Sequence, residues 1–180
     1  VLSRFFKTGE GEYGAGDRFI GVTVAQQREL VKRYQVMPPS DIAILLSDEF
    51  HECRMIALLF LVRHYQKSES DEEKIKIFNF YLNHTKGINN WDLVDLSAPY
   101  IVGDFLLTRN RESLYELIES DNMWEQRIAM VSTLGFIRKG DYADTFRFAQ
   151  RLETTRHDLL QKATGWMLRE VGKRDFQQLY

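Results

Sequence analysis

Four times along the chain a charged side chain is set into a run of small and apolar residues. Arg54 precedes Met-Ile-Ala, Asp95 precedes Leu-Ser-Ala, Arg127 precedes Ile-Ala-Met and Lys162 precedes Ala-Thr-Gly. The separations are 41, 32 and 35 residues. Self-similarity at such a spacing is the mark of helical-hairpin repeats. A unit of that size cannot bury its own apolar face, so stacked neighbours must supply the core. The pattern therefore predicts an all-α chain, an α-α superhelix of helical hairpins forming a curved solenoid with a concave face for large partners.

Local signals agree. Thr23 with Gln26 and Ser70 with Glu73 have capping-box spacing, which predicts helices over 23–34 and 70–83. Pro38 and Pro39 stop the first of these. Ser40 is expected to cap a short helix through 46, and Asp48 to start a longer one reaching about 66. Further helices are expected over 90–103, 122–138, 142–152 and 157–171, with Gly140 and Gly172 as stops and His157-Asp158 as a start. No stretch alternates apolar and polar residues as a strand would. Residues 9–14 contain a formal G-x-G-x-x-G, but no strand precedes it, no helix follows directly, and Glu10 and Glu12 would repel phosphate. A flexible loop is the expectation there.

At 180 residues, 44% hydrophobic and 28% charged, the composition fits one globular domain with a sizeable core. No apolar run approaches the about 18 residues of a membrane span. The single cysteine, Cys53, cannot form an internal disulfide, and the expected setting is reducing and cytoplasmic. The chain opens at Val1 without a signal pattern and both ends fall inside structured sequence, so a fragment of a longer protein is expected. The net charge of −2 weighs against nucleic acid, whose binding rests on Lys and Arg. The charge is uneven, however. Residues 1–120 carry 14 basic and 18 acidic side chains, whereas residues 121–180 carry 10 basic and 8 acidic. Any basic surface should draw on the C-terminal third. His51, Cys53 and His64 have no metal-ligand spacing, and both histidines are expected at the surface. No nucleophile motif is present.

The segment from Asn90 to Pro99 concentrates the chemistry. Asn90 suits a helix N-cap, and Asp92 suits the first turn, where a carboxylate complements the helix dipole. Trp91 and Asp95 are four residues apart and so share a helical face. Pro99 would clash with the carbonyl four residues back, that of Asp95, and leave it without a helical hydrogen bond. A buried Trp beside a capping Asp is the plainer reading. In the last helix Lys162, Trp166, Arg169 and Lys173 step by four, three and four, forming a cationic stripe. Leu159, Ala163, Met167 and Val171 form the apolar stripe of the same helix. Arg127 stands alone before Ile128, and the plainer reading is a surface arginine or one paired with Glu125 or Asp121.

Three motifs carry a family resemblance: the run from Asn90 to Asp95, Trp124-x-x-Arg127-Ile-Ala-Met-Val, and the long run from Lys162 to Lys173. Together they resemble the bacterial DNA alkylation repair enzymes, alkylpurine DNA glycosylases built from HEAT-like repeats. The resemblance spans about Phe19 to Phe176 and implies a single HEAT-like-repeat domain over residues 1–180, lacking part of its terminal helices. It implies hydrolysis of the N-glycosidic bond of cationic N3- and N7-alkylated purines in duplex DNA, without metal or cofactor, by a monomer that does not engage membranes. Trp91, Asp95, Arg127 and Trp166 match the family's functional positions, with Arg127, Lys162, Arg169 and Lys173 as DNA-binding candidates.

The residue chemistry is consistent with that implication. Departure of an alkylated purine neutralises its charge, so the protein has mainly to stabilise a cationic sugar and orient a water. Asp95 can do both electrostatically. Tryptophan faces attract cations, and an arginine can clamp a phosphate. The competing expectation is a non-catalytic helical-repeat module that binds DNA or protein.

Overall fold

The computed structural model describes residues 6–179. Among these residues no strand forms, and the sole β-type pairing is an isolated parallel bridge between Arg18 and Phe50. The all-α expectation is met. The chain divides into two compact units, one up to Leu93 and one from Val94 onward.

The first unit contains α1 (Val24–Tyr34), α2 (Pro39–Leu46), α3 (His51–Lys67) and α4 (Asp71–Asn83). The capping box of α1 forms as expected: Gln26 N donates to Thr23 Oγ1 at 3.3 Å, and Thr23 N donates to Gln26 Oε1 at 2.9 Å. The one expected for α4 is half made. Ser70 Oγ accepts from Glu73 N at 3.4 Å, but the Glu73 carboxylate turns aside to accept from Ser68 Oγ. α2 begins at Pro39 rather than Ser40, because a first-turn residue needs no amide donor. Asp48 stays outside α3 and accepts from Phe50 N instead. α3 is the hub, with α1, α2 and α4 packed on it. Met55, Ala57, Leu58, Phe60 and Leu61 are all buried, so its sides are apolar almost all round.

The helix expected over 90–103 does not run through. α5 (Trp91–Asp95) stops at Asp95, residues 96–97 turn, and a wide π-type turn occupies Pro99–Gly103. The cause is Pro99, which offers no N–H to the Asp95 carbonyl and whose ring would collide with it. The boundary between the two units falls within α5.

The second unit continues with a short 3₁₀ turn (Leu106–Thr108), α6 (Glu112–Glu119), α7 (Met123–Ile137), α8 (Ala143–Arg151) and α9 (Asp158–Gly172). α7 is the hub here. It packs against the π-type turn, α6, α8 and α9, and most of its side chains are buried. Contacts recur at the repeat separation. Arg151 Nε reaches the Glu119 carboxylate at 2.8 Å and Arg147 Nη1 donates to Tyr115 Oη at 2.8 Å, each across 32 residues.

The π-type turn and α7 meet without intervening side chains. A Cβ at Gly103 would lie 2.3 Å from the Ser132 carbonyl oxygen, and one at Gly135 would lie 2.8 Å from the Gly103 carbonyl carbon. Both neighbours are backbone, so neither can yield cheaply. Gly135→Ala is expected to destabilise the protein by about 1–3 kcal/mol, read as a lower melting temperature. Gly165→Ala is the control, because a Cβ there meets nothing within 4 Å.

Candidate functional site

Closeness of the π-type turn to α7 brings Asp95 against Arg127. Arg127 Nε and Nη2 donate to the two oxygens of Asp95 at 3.1 and 2.9 Å, a bidentate pair. The remaining nitrogen, Nη1, donates to the Leu159 carbonyl in the first turn of α9. Arg127 is 4% exposed, so its charge is spent inside the protein, on one carboxylate and one carbonyl. The expected alternatives, a surface arginine or one paired with Glu125 or Asp121, do not describe it; Glu125 accepts from Ser120 Oγ instead. Asp95 keeps a 17% exposed side chain. The bidentate grip fixes the plane of the carboxylate while part of it still meets solvent.

α9 carries the cationic stripe. Leu159, Ala163, Met167 and Val171 are buried, as the apolar stripe requires. Lys162, Arg169 and Lys173 are exposed and Trp166 is half-buried between them. Lys162 Nζ reaches Asp158 at 2.9 Å and Lys173 Nζ reaches Glu170 at 2.6 Å, both within the helix. The Lys162 pair is exposed on both sides and is worth about 0.5 kcal/mol, little enough to be exchanged for a phosphate. Trp166 lies two turns beyond Leu159 on α9, the helix that Arg127 grips. The stripe and the Asp95–Arg127 pair are thus linked through one helix.

Trp91 opens α5 in the first unit, where its amide donates to Asn90 Oδ1 at 2.8 Å. Behind it lies a buried polar cluster that spacing did not disclose. His51, expected at the surface, is 3% exposed. Its Nε2 bonds to Asp92 Oδ2 at 2.9 Å, and its Nδ1 lies 3.4 Å from Asp17 Oδ2. Asp17 also accepts from Asn90 Nδ2 at 2.9 Å and from Arg54 Nη2 at 2.6 Å. Glu52, equally buried, accepts from the amides of Ile20, Gly21 and Val22. The glycine-rich segment is therefore tied down at its far end. Burial alone would lower the His51 pKa, but hydrogen bonds to Asp17 and Asp92 and their charges outweigh it and hold it at about 9. Burial would likewise raise Asp17, yet the bonds from His51, Asn90 and Arg54 bring it below the usual value. The second expected surface histidine, His64, is half-buried, and burial lowers its pKa, with Arg63 and Lys67 adding to the effect. Arg54, a buried arginine at the start of an apolar run, was the one visible hint that a carboxylate had to be nearby.

An all-helical protein with a carboxylate anchored by a buried arginine, and a basic helix bearing a half-buried tryptophan on the same arginine, is the class that fold and site define. The family described as DNA alkylation repair enzyme matches residues 1–180, the whole chain, and the chain belongs to that family. A role in DNA alkylation repair follows from this membership. Comparison with curated proteins finds no match. Among the described residues no His, Cys, Asp and Glu side chains are grouped to hold a metal ion, and no helix is long and apolar enough to cross a membrane.

Arg127→Ala leaves Asp95 without its guanidinium and the Leu159 carbonyl without its second donor. It is expected to cost about 3 kcal/mol, and Arg127→Lys should recover only part, because one ammonium cannot serve both acceptors as the planar fork does. Thermal melting of both variants checks this. His51 binds its proton more tightly in the folded than in the unfolded chain. Its contribution to stability is complete below about pH 6.5 and is lost as the pH rises through about 9. The melting temperature should fall across that alkaline window, and His51→Gln should flatten the fall.

Proposed function

We propose that the protein is a DNA glycosylase that hydrolyses the N-glycosidic bond of cationic N3- and N7-alkylated purines in duplex DNA. The observation that carries this reading is the partly exposed Asp95 carboxylate, locked by Arg127 through both oxygens. As the bond between C1′ and the purine nitrogen breaks, the base leaves with the electron pair and loses its positive charge. A cationic sugar remains. Water then adds to C1′ and gives up a proton. A carboxylate that cannot rotate keeps its exposed edge in one direction, so it can face the sugar cation and hold the water without reorganising during the reaction.

The supporting roles follow from residue type and exposure. Trp166, half-buried on the basic helix, offers a ring face to a positively charged nucleotide. Trp91, at the start of α5, is the second such candidate. Lys162, Arg169 and Lys173 are exposed on one side of α9 and suit consecutive phosphates. Arg127, spent on Asp95, acts by orienting the carboxylate; a direct phosphate contact would require it to leave that partner.

The decisive experiment incubates the protein with duplex DNA containing 7-methylguanine and measures abasic-site formation. Release above the spontaneous rate is expected; its absence favours the non-catalytic binding module. Asp95→Asn should lower single-turnover excision by about 10²–10³-fold. Its rate must be read beside its melting curve, because the change also weakens the hold on Arg127. A folded variant with an unchanged rate would remove Asp95 from the chemistry. Replacing Arg169 and Lys173 together by Ala should weaken DNA binding and reduce the slope of log affinity against log salt by about 2.

A further inference from the structure

The buried cluster around His51 has more order than a structural core needs. His51 is flanked by two aromatic rings, Phe6 at 4.8 Å and Phe19 at 4.9 Å between centroids. Phe6 and Phe19 stack on one another at 4.9 Å. Phe6 is buried, and it also stacks on the Trp91 indole at 5.6 Å, with 22° between the ring planes. His51 therefore reaches Trp91 by two routes. One is ring against ring through Phe6. The other is polar, through the Asp92 carboxylate, which belongs to the residue directly after Trp91. Asn90, directly before Trp91, is held by Asp17 and in turn caps the Trp91 amide. The half-buried indole is thus fixed by its neighbour on each side in the chain and by an aromatic ring against its face.

We propose that His51 and Phe6 are positioning residues for Trp91, setting the angle at which its indole meets the alkylated nucleotide. The proposal rests on the glycosylase reading for the identity of what Trp91 meets, but the packing that sets the indole is independent of it. A cationic imidazole packed beside two aromatic rings is attracted to their π-systems. Its two N–H groups satisfy two carboxylates, a task that a neutral imidazole, with one N–H, could not perform. The glycine-rich segment acquires a use under this reading, since it returns the chain so that Phe6 and Asp17 both reach His51.

The test combines a spectroscopic and a kinetic measurement on the full chain. The indole N–H resonance of Trp91 is assigned by its loss in Trp91→Phe. Phe6→Leu and His51→Gln are each expected to shift or broaden that resonance while those of Trp124 and Trp166 stay in place. Single-turnover release of 7-methylguanine should fall about tenfold in both variants, with DNA affinity changed less than about twofold, as for a misplaced contact group. Phe6→Leu leaves every hydrogen bond of the cluster intact, so it decides the matter even if His51→Gln fails to fold. An unmoved Trp91 resonance in folded Phe6→Leu overturns the proposal. So does a moved resonance with unchanged excision. If the wild-type protein releases no 7-methylguanine, the glycosylase reading fails on its own, and the Trp91 resonance still decides whether Phe6 and His51 set the indole.

Discussion

The second unit depends on where one guanidinium puts its donors. Arg127 sits within an apolar helix, and an uncompensated charge there would be prohibitively costly. It is made tolerable by the Asp95 carboxylate on one side and the Leu159 carbonyl on the other. Three elements are thereby fixed together: the end of α5, the middle of the unit in α7, and the start of α9. The carbonyl of Leu159 is free to accept because a sequence neighbour four residues on is not required to satisfy both of its lone pairs. The same arrangement that stabilises the unit leaves Asp95 oriented and part-exposed. Under the proposed function, the ion pair that packs the unit is also the one that presents the carboxylate to the sugar.

The break in the helix at Asp95 has a matching logic. Pro99 ends the regular hydrogen bonding, and the π-type turn that follows brings Gly103 into backbone contact with α7. Only glycines on both sides permit that approach. In the first unit Arg54 meets the same problem with other means. It donates to Asp17 and to the carbonyl of Asp48, and Asp17 is drawn in from the loop that the glycines allow to fold back. Two buried arginines at corresponding points of the repeat thus find carboxylates from quite different parts of the chain.

Much of the fold could be read from the amino acids alone. The capping box at Thr23 and the N-cap half of the one at Ser70 hold, and α9 buries the four residues of its apolar stripe. Those features are local, decided by hydrogen bonds within a turn and by the helical period. The disturbance at Pro99 was legible for the same reason, although spacing could not say that the helix would end outright at Asp95. The recurring charged position was legible as a pattern and not as a set of fates. Arg54 and Arg127 are buried in ion pairs, Asp95 is a partner in one, and Lys162 lies exposed against Asp158 on its own helix.

Helical content, most helix boundaries and the basic face of α9 were legible along the chain, and the family resemblance made Trp91, Asp95, Arg127 and Trp166 candidates. Which charges meet was settled by tertiary packing. Arg127 to Asp95 and His51 to Asp17 and Asp92 join residues 32, 34 and 41 positions apart. The physical reason is that burial makes the partner of a charge obligatory without saying who it is. A buried arginine or histidine in a sequence demands a carboxylate, and several were on offer. The choice among them was made by close backbone approach at Gly103 and Gly135 and by the return of the glycine-rich loop, neither of which has a local signature.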